Sequence, residues 1–199
     1  MAYTIAVAGK GGVGKTTTSS ALAAGFALAG TRVLCIDLDP QGNLGFCLGS
    51  ESTSGATVLD VLKGDVSVTE AVCKTDYCDV LPSDITLSSS GLEHTVVPHK
   101  EYILRDALAP VMDTYDYIVI DTPPALNLLT VNAYALSDFL IIPMASDILS
   151  LVGLSQLKET VESVKSSLNP RLHVLGILLT RFNKRTLLSR DVLEMAQQL

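Results

Sequence analysis

The chain has 199 residues, 48% of them hydrophobic and 18% charged, with a formal net charge of −7. That length and apolar content predict one domain with a substantial core and exclude a disordered chain. The acidic balance weighs against a general affinity for nucleic acid or anionic membrane, while leaving room for a local basic patch.

Met1-Ala2-Tyr3 leads straight into the first predicted strand and leaves no room for a signal peptide. Tyr3 to Ala8 reads as a short buried strand. Gly9-Lys10-Gly11-Gly12-Val13-Gly14-Lys15-Thr16-Thr17 then fits G-x-x-x-x-G-K-[ST], the phosphate-binding loop. The glycines let the backbone fold around an anion and turn its N–H groups inward. Lys15 can reach the β- and γ-phosphates, and the Thr16 hydroxyl can ligate Mg²⁺. Thr16 to Ala29 is rich in Ala and Leu, ends at Gly30 and reads as a helix, whose dipole adds to the same site. Strand, loop and helix stand in the order the motif requires. Gly11, Gly12, Val13, Gly14, Lys15, Thr16 and Thr17 are therefore the expected phosphate contacts.

Thr31 to Asp37 reads as a second strand, completing a βαβ unit with a parallel sheet. It ends in Asp37-Leu38-Asp39-Pro40-Gln41-Gly42-Asn43. Ligands bind at the carboxyl ends of parallel strands, so both aspartates are expected near the phosphates. One could orient the lysines or the metal shell and the other could hold an attacking water; a polar strand exit with Pro and Gly as turn residues is the plainer alternative.

Gly45 to Gly55 reads as a loop. Thr57 to Leu62 reads as a short helix capped by Thr57, and Val68 to Val72 as another. Cys78 to Ser83 reads as a strand running into a turn. No chemical role is legible in Ile85 to Leu92. His94 and His99 lack a partner pattern and are set aside as metal or catalytic candidates. Ile103, Leu104, Ala107, Leu108 and Val111 recur at helical spacing, predicting a core-facing helix over Lys100 to Met112.

Tyr115 to Asp121 is a buried strand ending in an aspartate, the Walker B arrangement in which Asp121 holds Mg²⁺ directly or through water. The Pro123-Pro124 pair stiffens its exit. Asp138 to Met144 reads as another buried strand, ending at Pro143. Leu154, Leu157, Val161, Val164 and Leu168 mark one face of a long helix ended by Asn169-Pro170. Leu172 to Leu179 is a further strand, with Thr180 and Arg181 at its carboxyl end. Lys184, Arg185 and Arg190 form a basic cluster that reads as a solvated loop and helix start ahead of a DNA contact. The apolar runs are strand-sized, far short of a membrane span, and a cytoplasmic protein is expected. Of the four cysteines, Cys35 falls in an apolar strand, and Cys73 and Cys78 have no second pair to complete a metal site.

Lys10 is the unusual letter of the loop. Lys10-Gly-Gly-Val-Gly-Lys15-Thr-Thr resembles the deviant Walker A motif of the ParA/MinD/nitrogenase-iron-protein superfamily. The continuations Asp37-Leu-Asp-Pro-Gln-Gly-Asn43 and Asp121-Thr-Pro-Pro-to-Asn132 resemble its ParA/Soj branch. The resemblance covers essentially the whole chain. It implies a doubly wound α/β fold with a mostly parallel sheet and helices on both faces, a P-loop NTPase over residues 1–199. A single domain, truncated at its C-terminal end, is expected.

The resemblance also implies ATP/ADP and Mg²⁺ as cofactors. It makes Lys10, Lys15 and Asp39 catalytic, with Lys10 reaching the nucleotide of a second subunit and Asp39 placing the water. Asp37 would support the magnesium shell. The segment after Asp121, with Pro123, would sense the γ-phosphate. Thr180 and Arg181 would contribute to the base pocket. The implied partners are a second copy in the ATP state, nonspecific DNA and a ParB-like centromere-binding protein, with nucleoid association and no membrane. The alternative is a MinD-like or cargo-positioning ATPase acting on a membrane or protein complex. A metal-insertion ATPase ranks last, since Cys73 and Cys78 do not fall at that branch's ligand positions.

Overall fold

The computed structural model describes residues 2–50, 55–89 and 98–197. The reading of His94 and the last two residues of the chain lie outside them. The strands are β1 (Tyr3–Val7), β2 (Val33–Asp37), β3 (Cys73–Lys74), β4 (Asp79–Leu81), β5 (Tyr117–Asp121), β6 (Phe139–Ala145) and β7 (His173–Thr180). They form one sheet in the order β3-β4-β2-β5-β1-β6-β7. Every pairing is parallel except that of β3 with β4. The expected doubly wound, mostly parallel sheet is present.

Alternation along the strands covers both faces. Leu34 and Ile36 of β2, with Ile118 and Ile120 of β5, face the larger core. Val33, Cys35 and Val119 face the smaller one. Helix α1 (Lys15–Leu28) packs on the smaller core through Ala23. Helices α6 (Leu128–Leu136) and α7 (Ile148–Ser167) pack on the larger through Leu129, Tyr134, Leu154 and Val161. A strand buried on both faces reads as a continuous apolar run, and β2 and β5 do.

The intervening helices are α2 (Asn43–Cys47), α3 (Val58–Lys63), α4 (Val68–Ala71) and α5 (Ile103–Leu108), and α8 (Leu187–Ala196) follows β7. Helix α3 begins as expected at Thr57, which forms a reciprocal capping box with Asp60.

Four elements depart from the sequence reading. Helix α2 occupies the start of the expected Gly45 to Gly55 loop, because the Asp37 carboxylate accepts the Leu44 N–H and caps it from seven residues back. The expected helix over Lys100 to Met112 is three pieces: 3-10 turns at Lys100–Tyr102 and Ala109–Val111 flank α5. Pro110 cannot donate into a continuous ladder, and the Leu104 N–H is taken by the Asn132 side chain. Strand β6 runs on past Pro143 to Ala145, since β1 pairs it only as far as Ile141 and the missing N–H breaks no ladder there. Strand β3 was not expected at all; it is a two-residue return onto β4.

Candidate functional site

Register brings the site together. Val7, Asp37 and Asp121 stand level at the carboxyl ends of β1, β2 and β5. The chain leaves β1 into the loop Gly9–Gly14 and enters α1 at Lys15. Gly9 has to be glycine: a Cβ there would sit 2.7 Å from the Pro143 carbonyl oxygen of β6. Gly14 takes the left-handed conformation, φ 93°, as the residue preceding α1. No side chain among the described residues caps this helix and its first turn carries no acidic residue. That leaves its N-terminus open to an external anion.

Asp121 is fully buried and anchors the centre. Its Oδ2 accepts the Thr16 hydroxyl at 2.6 Å and its Oδ1 accepts the Ser19 hydroxyl at 3.0 Å. Burial pushes its carboxyl up to about 6, against the pull of Thr16, Ser19 and the Lys15 charge. Lys15 is buried, and its Nζ donates to the Lys10 carbonyl at 3.3 Å. Burial holds its ammonium below the usual lysine value, and the charges of Asp121 and Asp39 partly offset this. A hydroxyl and a buried carboxylate in contact beside a lysine make a hard-oxygen donor pair that fits Mg²⁺.

The two aspartates at the end of β2 divide their work. Asp37 is fully buried; its Oδ1 accepts the Asp39 N–H at 2.9 Å and its Oδ2 the Leu44 N–H at 3.0 Å. Both oxygens thus hold the loop in shape. Burial raises this carboxyl to about 7, and the charges of Asp121 and Asp39 add to that. Asp39 is only half-buried, and its Oδ1 accepts the Gln41 N–H at 3.0 Å.

The remaining predicted residues are distributed around this centre. Gly11, Gly12 and Thr17 are exposed, while Val13 is buried beneath the loop. Thr180 reaches back to the loop: its hydroxyl donates to the Val13 carbonyl at 2.8 Å. Arg181 follows in a left-handed conformation, φ 53°, with its side chain exposed. Lys10 is exposed and, with Pro123, lines a cavity of about 180 Å³ between β5, α6 and α7. Asn127 caps α6, accepting the N–H groups of Leu129 and Thr130, and Asn132 is buried within the helices. Arg190 donates to the Lys184 carbonyl at 3.0 Å, which orders part of the basic cluster.

Sequence reasoning missed Ser19, Tyr134 and Gly153. Ser19 was findable, lying one helical turn after Thr16 and so on the same face. Tyr134, whose hydroxyl is buried without a partner among the described residues, had no local signal. Gly153 is taken up below. The Cys35 and Cys78 sulfurs are 3.8 Å apart in the smaller core.

A glycine loop between a parallel strand and a helix, with a buried aspartate on the neighbouring strand touching the loop threonine, defines a P-loop nucleotide-binding protein. An AAA domain family model matches residues 2–174. The chain is 45% identical over 188 residues to the chromosome partitioning protein ParA of Caulobacter vibrioides, a match covering 92% of this chain and 70% of that protein. It is 44% identical to the sporulation initiation inhibitor protein Soj of Bacillus subtilis, over 93% of this chain and 74% of Soj. Among solved structures, cobyrinic acid a,c-diamide synthase from Mycobacterium smegmatis, with bound ATP analog and magnesium, superposes with a TM-score of 0.93 at 37% identity. That match covers all of this chain and 82% of the other. The chain belongs to the ParA/Soj family.

Proposed function

We propose that the protein is a Mg²⁺-dependent ATPase whose ATP-bound form is a dimer, and that it serves plasmid or chromosome partitioning. The observation that carries the reading is the contact of Thr16 and Ser19 with buried Asp121 at the foot of the loop, beside Lys15. The loop amides and Lys15 bind the phosphates. Thr16 and Asp121 would hold the magnesium, which would supply charge neutralisation on the transferring phosphoryl group. Asp39 has its second carboxylate oxygen for a water. Lys10 stands exposed on the outer rim, where it can enter the site of a second copy and offset phosphate charge there.

On this reading ATP joins two subunits face to face and hydrolysis releases them. The enzyme is then a timer for assembly, with slow turnover. The single seven-stranded sheet supports reading residues 1–199 as one P-loop ATPase domain. The similarity to the chromosome partitioning protein ParA supports the partitioning role; a ParB-like protein that stimulates hydrolysis and nucleoid DNA as the surface complete the proposal. No helix among the described residues is long and apolar enough to cross a membrane.

The test is the mass of the Asp39→Ala variant in solution with ADP and with ATP, with and without nonspecific duplex DNA. A dimer only with ATP, which then binds DNA, is expected. An ATP dimer that ignores DNA would replace partitioning with a membrane or cargo role. No dimer would remove the trans role of Lys10.

A further inference from the structure

Gly153 sits in the second turn of α7, where glycine is a poorer helix former than alanine. The chain carries another helix-interior glycine, Gly25 in α1, but a Cβ added there would meet nothing within 4 Å. At Gly153 the added atom would lie 3.8 Å from both Cβ and Cδ of Lys10. The stem of Lys10 therefore lies along bare α7 backbone. Its own backbone is held separately, by the Lys15 ammonium on the Lys10 carbonyl. What directs the Lys10 side chain is consequently the surface beneath its stem.

Lys10 and Gly153 together line two cavities. One, of about 180 Å³, has Pro123, Tyr134 and Gln156 in its wall. A smaller one is bounded by Val13, Pro143 and Leu154. Leu149 and Val152, on the same turn of α7, are 66% and 60% exposed, so the stem crosses an apolar face open to solvent. A long lysine stem gains by covering apolar surface while its ammonium stays in water.

We propose that Gly153 is a positioning residue for Lys10: the gap left by its missing side chain is the berth that sets where the Lys10 stem lies and from which the ammonium is presented to a second subunit. This rests on the trans-lysine reading above and adds the element that controls it. Alanine at 153 fits, its methyl meeting the stem at ordinary contact distance. Leucine does not, and lifts the stem off the helix.

The experiment uses the full chain with Gly153→Ala and Gly153→Leu, each checked for a cooperative thermal transition. In the nucleotide-free monomer, limited acylation by an N-hydroxysuccinimide ester is read at Lys10 by peptide mass spectrometry, with Lys184 as internal reference. Gly153→Leu is expected to raise Lys10 acylation at least about threefold, with Lys184 unchanged. In the Asp39→Ala background the ATP concentration for half-dimerisation is expected to rise at least about fivefold. The affinity of the monomer for a fluorescent ATP analogue should stay within about twofold. Gly153→Ala should leave every readout within about twofold.

Unchanged Lys10 acylation in Gly153→Leu would overturn the berth. Unchanged dimerisation would overturn its role. Loss of dimerisation in Gly153→Ala as well would place the effect in the α7 face itself and also overturn it. Normal ATP-dependent dimerisation by Lys10→Ala would instead bring down the trans-lysine reading, whatever Gly153 does.

Discussion

Asp37 and Asp121 end adjacent parallel strands in register, two fully buried carboxylates side by side beneath the phosphate loop. Their carboxyls are raised to about 7 and about 6, in each case chiefly by burial. In an unfolded chain both would titrate near 3.9. The folded state therefore binds these protons more tightly. The stabilisation is fully present below about pH 4 and is lost as pH rises through about 6 and then 7. The nucleotide-free protein should lose roughly 2–4 kcal/mol of unfolding free energy between pH 5 and 8, one pKa unit being worth about 1.4 kcal/mol and the two groups being coupled. Urea titrations across that range measure it; a flat profile would contradict burial of the two carboxyls as the source of their raised values.

Magnesium acts in the opposite sense. A cation at Asp121 favours the ionised carboxylate, so binding expels a proton wherever the free site is protonated. With that carboxyl at about 6, the apparent affinity for Mg²⁺ in the presence of ADP should rise as pH passes upward through about 6 and level off above 7. Calorimetric titration at pH 5.5 and 7.5 would read both the affinity and the released proton. Equal affinities would place the cation away from Asp121.

Thr180→Val separates two roles for the end of β7. The Thr180 hydroxyl donates to the Val13 carbonyl, so its loss frees a carbonyl of the phosphate loop while valine keeps the shape. A lost neutral hydrogen bond is worth about 1 kcal/mol, or about fivefold in binding. The expected result is that weakening for ATP, ADP and inorganic triphosphate alike. Weakening confined to ligands that carry adenine would instead put Thr180 in the base pocket.

Tyr134→Phe should cost nothing. The ring fills the larger core and the hydroxyl is buried without a partner among the described residues. Removing an unsatisfied buried group is neutral or stabilising, by up to about 1 kcal/mol. Thermal unfolding of the nucleotide-free variant measures this. A destabilisation above about 1 kcal/mol would mean that the hydroxyl is satisfied in solution by water in the adjoining cavity.

What the sequence made legible divides by range. The phosphate loop, the aspartate that ends β5 and the long apolar stripe of α7 are local patterns, and each predicted element is present. Period-3.6 and period-2 patterning also located most strands and helices. The cap on α2 was not legible, because it comes from Asp37 across a turn. Neither was the break-up of residues Lys100 to Met112, where a side chain from α6 takes the Leu104 N–H. Gly153 and Tyr134 belong to the same class: a glycine explained by a lysine 143 positions earlier, and a hydroxyl defined by a cavity, have meaning only after folding. Ser19 is different: the sequence reading missed it, although helical spacing from Thr16 would have sufficed to find it.

Asn132 decides how far the segment after Asp121 acts as a nucleotide sensor. The resemblance to the family gives that segment a role at the γ-phosphate. In the structure, Asn132 is turned away from the loop and into the helices: its Oδ1 accepts the Leu104 N–H at 3.1 Å, and its Nδ2 donates to the carbonyls of Lys100 at 2.9 Å and Leu128 at 3.0 Å. These bonds fasten the start of α5 to α6. Asn132→Ala removes all three partners from a buried position, which costs about 2–4 kcal/mol when buried groups lose hydrogen bonds they cannot replace. The folded variant should still bind ATP and dimerise as the parent does, provided the measurement is made well below its lowered melting temperature. A sensing role would give the reverse pattern: an unshifted melting temperature with loss of the ATP-dependent dimer. Thermal unfolding and solution mass on the same preparation therefore assign Asn132 to one role or the other.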